Sequence, residues 1–293
     1  MAERTRNILL YGPPGTGKTW LVTQFAKAFT DTNKVEMVTF HQSFAYEEFV
    51  EGIKPRNDEK GQLFYRMEHG AFRRICKSAL ENPSEEYLLI IDEINRANIA
   101  KVLGELITLI EDDKRLGQPN EVQVTLPYSG EQFGVPANLT ILGTMNTADR
   151  SIALLDLALR RRFTFVEMPP DPALLSEDVA GVNLQNLLTR LNRRIAALLD
   201  RDHCIGHSYL MGVSTEEDLH FAWYHRIVPL LQEYFYHDGE RLRAVVGKAF
   251  VQEVTLDAGT KEALGEAYED MPRYEVLKLT GEEFRDALQK IAG

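Results

Sequence analysis

The chain has 293 residues, 44% hydrophobic and 26% charged, the composition of a globular protein long enough for two packed lobes. A formal net charge of −11 argues against the chain as a whole reading a nucleic-acid duplex, since phosphate backbones prefer basic surfaces, and leaves that task to a local basic patch or to another chain or domain. No apolar run approaches the roughly 18–20 residues of a membrane span, the start MAERTRNILLYG lacks a signal-peptide pattern, and the distant cysteines Cys76 and Cys204 fit unpaired thiols in a reducing cytoplasm.

NILLY (7–11) is a short apolar run that stops at the glycine-rich GPPGTGKT, and WLVTQFAKAF (20–29) then repeats apolar residues at helical spacing. VEMVTF (35–40) predicts a second strand, and SFAYEEFVEGI (43–53) a helix with Ser43 near its start. Turn signals at Pro55, Asn57-Asp58 and Gly61, with alternation around Leu63-Phe64-Tyr65, mark 54–72 as a hairpin or loop inserted before a helix over 72–80. YLLIIDEI (87–94) is a nearly continuous apolar strand, as expected where both faces are covered in a parallel sheet. AKVLGELITLIEDD (100–113) predicts an amphipathic helix and EVQVTLPYSGEQFGVP (121–136) a hairpin. LTILGTMN (139–146) follows as a core strand, IALLDLAL (152–159) as a short helix and RFTFVEM (162–168) as the last strand, ended by Pro169-Pro170. Beyond that point helical patterns dominate, over 182–200, 216–235 and 241–254, and the tail YEVLKLTGEEFRDALQKI reads as one strand and one helix. The expected organisation is α/β: a parallel-sheet nucleotide-binding subdomain over 1–168 and a mainly helical subdomain with a short tail over 169–293.

Gly12-Pro13-Pro14-Gly15-Thr16-Gly17-Lys18-Thr19 fits the phosphate-loop pattern between a strand and a helix. Glycines let several backbone N–H groups face one anion, and the helix N-terminus adds partial positive charge. In such a loop Lys18 reaches the β- and γ-phosphates and the Thr19 hydroxyl holds Mg²⁺. Asp92, at the end of a buried strand, is the expected metal partner of Thr19, and Glu93 a general base for water. Asn146 ends another strand of the same sheet, whose carboxyl edge is where ligands bind. On spacing alone two readings of MNTADRS (145–151) stand: Asn146 orients water or γ-phosphate, or Asn146 and Asp149 only form a turn. Arg160, Arg161 and Arg162 are either an arginine finger offered to a neighbouring subunit or the solvated basic end of a helix. His203, Cys204 and His207 are too few for a zinc site and read as structural.

GPPGTGKT, LLIIDEINRAN, MNTADRS and ALRRRF, in this order and spacing, resemble an AAA+ domain. DEINRAN with MNTADRS, together with TFHQSFAYEEFVEGIKPR and CIGHSYLMG, resembles more narrowly the McrB family, the nucleotide-hydrolysing subunit of modification-dependent restriction systems. The resemblance covers residues 7 to about 250. It implies hexameric rings with nucleotide between subunits, GTP preferred over ATP, and a separate McrC-like nuclease subunit docking on the ring. It also implies DNA reached through the assembled complex or a reader domain N-terminal to this module; with six residues before the first strand, that reader is expected to lie outside this chain. By motif match Asn146 is the sensor-1 residue, Asp149 belongs to the signature loop, Arg161 is the first finger candidate and Arg162 the second. His207 is a sensor-2-like candidate, and the insertion at 54–72 resembles a hairpin shared with MoxR-like AAA+ proteins. The base-reading motif N-K-x-D of small GTPases is absent, and Asn33-Lys34-Val35-Glu36 reads as an exposed connection. GTP preference therefore rests on the resemblance, and an ATP-dependent MoxR-like remodelling chaperone stands as the alternative.

Overall fold

A computed structural model of the chain describes residues 5–29, 31–149, 157–236, 238–264 and 272–293. Contacts gather into two units, Met1–Gly12 with Gly17–Met168, and Pro13–Thr16 with Pro169–Gly293. The first holds, in order, β1 (Asn7–Gly12), α1 (Lys18–Lys27), β2 (Val35–Thr39), α2 (Tyr46–Phe49), β3 (Glu51–Asn57), β4 (Leu63–His69) and α3 (Ala71–Glu81). It continues with β5 (Tyr87–Asp92), α4 (Ile99–Leu103), β6 (Val124–Thr125), β7 (Gln132–Phe133), β8 (Leu139–Asn146), α5 (Leu157–Arg160) and β9 (Thr164–Glu167).

Among the described residues β2, β5, β8, β1 and β9, in that spatial order, form one sheet in which every neighbouring pair is parallel. The unbroken hydrophobicity of β5 follows from this placement. Tyr87, Leu89 and Ile91 pack into the cluster of Phe49, Phe72 and Ile75, while Leu88 and Ile90 join Leu10, Val22 and Leu142. Alternate side chains thus enter different cores, and a polar residue on either face would be stranded.

Two expected helices are shorter than their periodicity. The run 43–53 is helical only over Tyr46–Phe49, and the chain is already extended at Glu51. Glu51 is fully buried, accepts hydrogen bonds from the Tyr128 and Ser129 amides (both 2.9 Å) and pairs with Arg73. Those partners outweigh helix propensity and start β3, which pairs antiparallel with β4 as a hairpin. The run 100–113 breaks at Gly104, whose φ of 53° and ψ of −130° leave the helical region. Leu106, Leu109 and Ile110 remain buried beyond the break, so burial rather than helix produced the pattern. Of the short helix expected over 152–159, residues 152–156 lie outside the described residues and Leu157–Arg160 is helical.

The second unit contains α6 (Leu184–Leu198), α7 (Glu216–Ala222), α8 (Val228–Tyr234), α9 (Gly239–Val246), β10 (Val251–Val254), α10 (Ala258–Leu264), β11 (Arg273–Val276) and α11 (Gly281–Ala292). A π-helical turn over Trp223–Ile227 joins α7 to α8. Leu184, Leu188, Leu191, Trp223, Phe250, Phe284 and Leu288 are fully buried in its core. The helical pattern over 241–254 stops at Val246, where Gly247 has a φ of 95°, and Val251–Val254 instead pairs antiparallel with β11. Among the described residues no helix is long and apolar enough to cross a membrane.

The β3–β4 hairpin is rooted in a buried ion pair that reaches out to an exposed carboxylate. Arg73 of α3 bridges Glu51 and Glu131 and donates to Ser129 Oγ at 3.3 Å. Burial pushes the Glu51 carboxyl up, but the Ser129 and Tyr128 hydrogen bonds and the Arg73 charge outweigh it and hold its pKa below the usual value. Glu51→Ala, which leaves Arg73 buried beside one partner fewer, is expected to cost about 3–5 kcal/mol in chemical denaturation at neutral pH. A depressed folded pKa means that this contribution is present above the unfolded carboxylate pKa and disappears as pH falls through the folded value. The stability gap between parent and variant should therefore close in acid.

Candidate active site

The loop after β1 curls because Gly15 and Gly17 take φ values of 77° and 82°, a left-handed conformation that favours glycine. Thr16 Oγ1 donates to the Pro13 carbonyl at 3.1 Å. Within the second unit the Pro14 and Gly15 carbonyls accept from the Gly206 and Ser208 amides at 3.1 and 3.0 Å, so the loop's oxygens are turned to protein partners. Lys18 opens α1, is 5% exposed, and donates from Nζ to the Gly12 carbonyl at 2.9 Å. Burial pulls its pKa down to about 8, against the opposing pull of the Glu93 and Asp92 carboxylates.

The parallel register brings the acidic residues to the same edge. Gly12 lies opposite Asn146 and Thr39 opposite Asp92, so β1, β8 and β5 all end here. Asp92 Oδ1 accepts from Thr19 Oγ1 at 3.1 Å and from Thr144 Oγ1 at 2.5 Å. Glu93 takes a left-handed φ of 54° and ψ of 47°, at a cost of order 1 kcal/mol for a residue with a Cβ. Its N–H donates to Thr144 Oγ1 at 3.2 Å, and its Oε1 accepts from Asn146 Nδ2 at 2.5 Å. Arg96 stands on the other side, Nε 3.5 Å from Glu93 Oε2, and donates from Nη2 to Asp149 Oδ2 at 2.7 Å. Asn95 donates to the Asn146 carbonyl at 3.2 Å. Burial, reinforced by Asp92 and Asp149 and opposed by Arg96 and Lys18, raises the Glu93 pKa above the usual carboxylate value.

The donor set fits a hard divalent cation. Thr19 Oγ1 and Asp92 Oδ1 are neighbouring oxygens at the mouth of the loop, the ligand chemistry that Mg²⁺ takes alongside phosphate oxygens and water. Glu93 Oε2, Asn95 Oδ1 and Thr147 Oγ1 are buried without a hydrogen-bond partner among the described residues, so polar capacity at this edge exceeds what the chain itself uses.

Of the residues singled out from sequence, Lys18, Thr19, Asp92, Glu93, Asn146 and Asp149 thus share one edge and one set of interactions. The arginines do not join it. Arg160 lies over the Phe165 ring at 5.7 Å, Arg161 is exposed, and Arg162 pairs with Glu111 of its own chain at 2.8 Å. Arg150 lies outside the described residues. His207 is buried in the second unit and accepts the Asp171 amide at Nδ1, 3.1 Å away. His203 bonds Asp200 instead, and among the described residues no group of three or more His, Cys, Asp or Glu is placed to hold a metal. Asn33 and Lys34 form a short turn before β2, Lys34 pairing with Glu85 at 2.8 Å. Three participants went unread in the sequence: Thr144, Asn95 and Arg96. Thr144 is two residues before Asn146 on β8 and therefore on the same side of the strand, a signal that period-two reasoning carries. Asn95 and Arg96 depend on the irregular turn after β5, which no periodicity describes.

Comparison with known proteins agrees with this geometry. Residues 7–163 match the family model described as AAA domain (dynein-related subfamily), and residues 183–243 match that described as McrB, alpha-helical lid domain. The chain is 39% identical over 256 residues to the type IV methyl-directed restriction enzyme EcoKMcrB subunit of Escherichia coli K12, covering 80% of this chain and 54% of that protein. It is 31% identical over 193 residues to the type II restriction enzyme BsuMI component YdiS of Bacillus subtilis 168, covering 55% of this chain and 56% of that protein. The chain thus spans about half the length of the curated relatives it matches.

The Lys18 titration gives the site a pH signature. A bound polyphosphate favours the ammonium and so raises this pKa. Affinity for a nucleoside triphosphate is expected to be level below about pH 8, where Lys18 carries its proton, and to weaken above it by up to about tenfold per pH unit. Fluorescence titration between pH 7 and 9.5 measures the fall, and Lys18→Arg, whose charge does not titrate there, should flatten it.

Proposed function

Because the chain belongs to the dynein-related AAA family and carries an McrB-type helical lid domain, we propose that it is the nucleotide-driven motor of a DNA restriction system, with GTP as its substrate. As an AAA+ nucleoside triphosphatase of the restriction type it resembles two proteins whose names both describe restriction enzymes. That agreement favours DNA restriction over a MoxR-like remodelling chaperone. In this reading residues 1–168 bind nucleotide and 169–293 form the lid subdomain. Copies assemble as a hexameric ring, a McrC-like nuclease subunit docks on it in the cytoplasm, and DNA is reached through the assembly or through a reader domain.

Backbone N–H groups of the loop from Gly15 to Thr19 donate to the phosphates, and the Lys18 ammonium lies between the β- and γ-groups. Thr19 and Asp92 would hold Mg²⁺, which neutralises charge developing on the phosphate oxygens when bound. Glu93 accepts the proton of the attacking water. Its raised pKa suits that role, since a base closer to neutrality takes a proton more readily than an ordinary carboxylate. The Asn146 amide holds the Glu93 carboxylate in place, and the Arg96–Asp149 pair backs it. Exposed Arg161 serves the γ-phosphate of a neighbouring subunit, with Arg162 as the second candidate, though its pairing with Glu111 favours Arg161.

The observation that carries this reading is the Glu93–Asn146 bond at the edge where Thr19 meets Asp92. Glu93→Gln should keep triphosphate affinity within about threefold and reduce turnover by about 10²–10⁴, read by nucleotide titration beside phosphate release. Unimpaired turnover would remove Glu93 from the mechanism. In competition titrations ATP should displace labelled GTP only weakly. A clear preference for ATP would move the assignment to the chaperone class.

A further inference from the structure

The β3–β4 hairpin divides its side chains between two faces. Direct partners across an antiparallel pair share a face, so Lys54 with Arg66, Arg56 with Phe64, and Gly52 with Glu68 lie on one side. Ile53 with Met67, Pro55 with Tyr65, and Asn57 with Leu63 lie on the other. The first face is basic. Arg56 is neutralised by Glu68, at 2.5 Å, but neither Lys54 nor Arg66 meets a carboxylate among the described residues. The two cations are direct cross-strand neighbours, an arrangement that costs stability unless an anion lies between them. Phe64 stands beside them, 43% exposed, and Lys60 is exposed in the turn. Glu68 on this face is taken by Arg56; of the two acids in the turn, Asp58 accepts from the Lys60 and Gln62 amides at 2.8 Å each and Glu59 is exposed. Between Lys54 and Arg66 the chain carries four basic and two acidic residues, against a net charge of −11 overall. The buried Glu51–Arg73 pair, extended to exposed Glu131, anchors the hairpin at its base, so this face is presented by a fixed root.

We propose that the Lys54–Arg66 face of the hairpin binds the phosphate backbone of DNA. An unneutralised like-charged pair beside an exposed aromatic ring, on a protein otherwise acidic, fits a polyanion with flat bases better than a protein surface. The hairpin is separate from the nucleotide-binding residues, so it supplies a sequence-independent hold on the strand. The inference rests on the DNA-handling part of the proposed function and is independent of which nucleotide is used.

The test measures binding of fluorescent duplex and single-stranded DNA to the 293-residue chain, with a non-hydrolysable nucleotide, across a salt series. The parent should show salt-dependent binding. Lys54→Gln with Arg66→Gln should weaken it roughly tenfold at low salt and reduce the slope of log K against log salt by about 1.8 on duplex or about 1.4 on single strands, the ratio identifying which form is held. Lys54→Arg with Arg66→Lys should keep both affinity and slope. Tyr65→Ser, on the opposite face, should leave affinity within about twofold. Should the double glutamine variant not fold, Arg66→Gln alone is read, with half the change in slope. Basal nucleotide turnover is measured in every variant and should be unchanged, which separates failure of this proposal from failure of the motor reading. No salt-dependent binding by the parent, an unchanged slope in the glutamine variants, or an equal loss in Tyr65→Ser would overturn it.

Discussion

A single half-buried carboxylate organises the polar edge of the parallel sheet in this protein. Glu93 is held in a left-handed backbone conformation, bonded by the Asn146 amide on one side and faced by Arg96 on the other. Burial makes its charge costly, and the neighbouring charges of Lys18, Arg96, Asp92 and Asp149 decide how costly. Moving any of these groups changes the balance at Glu93, because a low-dielectric setting lengthens the reach of every charge. Burial also depresses Lys18, so the ammonium and the carboxylate are tuned together.

That coupling gives two sequence segments, DEINRAN and MNTADRS, one physical role. They are about fifty residues apart in the chain but meet through Glu93–Asn146, Asn95–Asn146 and Arg96–Asp149. The parallel sheet makes the meeting possible. β5 and β8 are adjacent and end at the same edge, so residues just past each strand share a rim. Polar residues at the end of a buried strand are therefore satisfied in part by one another, while Glu93 Oε2, Asn95 Oδ1 and Thr147 Oγ1 keep capacity to spare. Asp149 has a partner of its own chain, which accounts for an acid in a loop already crowded with polar groups.

The insertion between α2 and α3 follows a different logic. Its root is buried and fully paired through Glu51 and Arg73, whereas its blade exposes both faces, one basic and one apolar. A two-stranded hairpin has little stability alone. Here the ion-pair network at its base supplies what the blade lacks, and leaves the blade's residues free of packing demands.

Much of this was legible in residues 1–293. Unbroken apolarity in YLLIIDEI and LTILGTMN required strands covered on both faces, and GPPGTGKT between strand and helix required a tight glycine turn; both follow from local chemistry. Periodicity failed where burial came without regular structure, as at Leu106, Leu109 and Ile110 beyond Gly104, or where a distant partner overrode local preference, as Tyr128, Ser129 and Arg73 do for Glu51. The roles of Thr144, Asn95 and Arg96, and the division of the three arginines among a ring, solvent and Glu111, depend on which segments the sheet brings together. Sequence by itself determined the buried strands of the sheet and which side chains stand at each strand end, because those are properties of neighbouring residues. Only the tertiary structure decided which of those ends touch and which charges compensate, because hydrogen bonding and desolvation act through distances that the chain order does not contain.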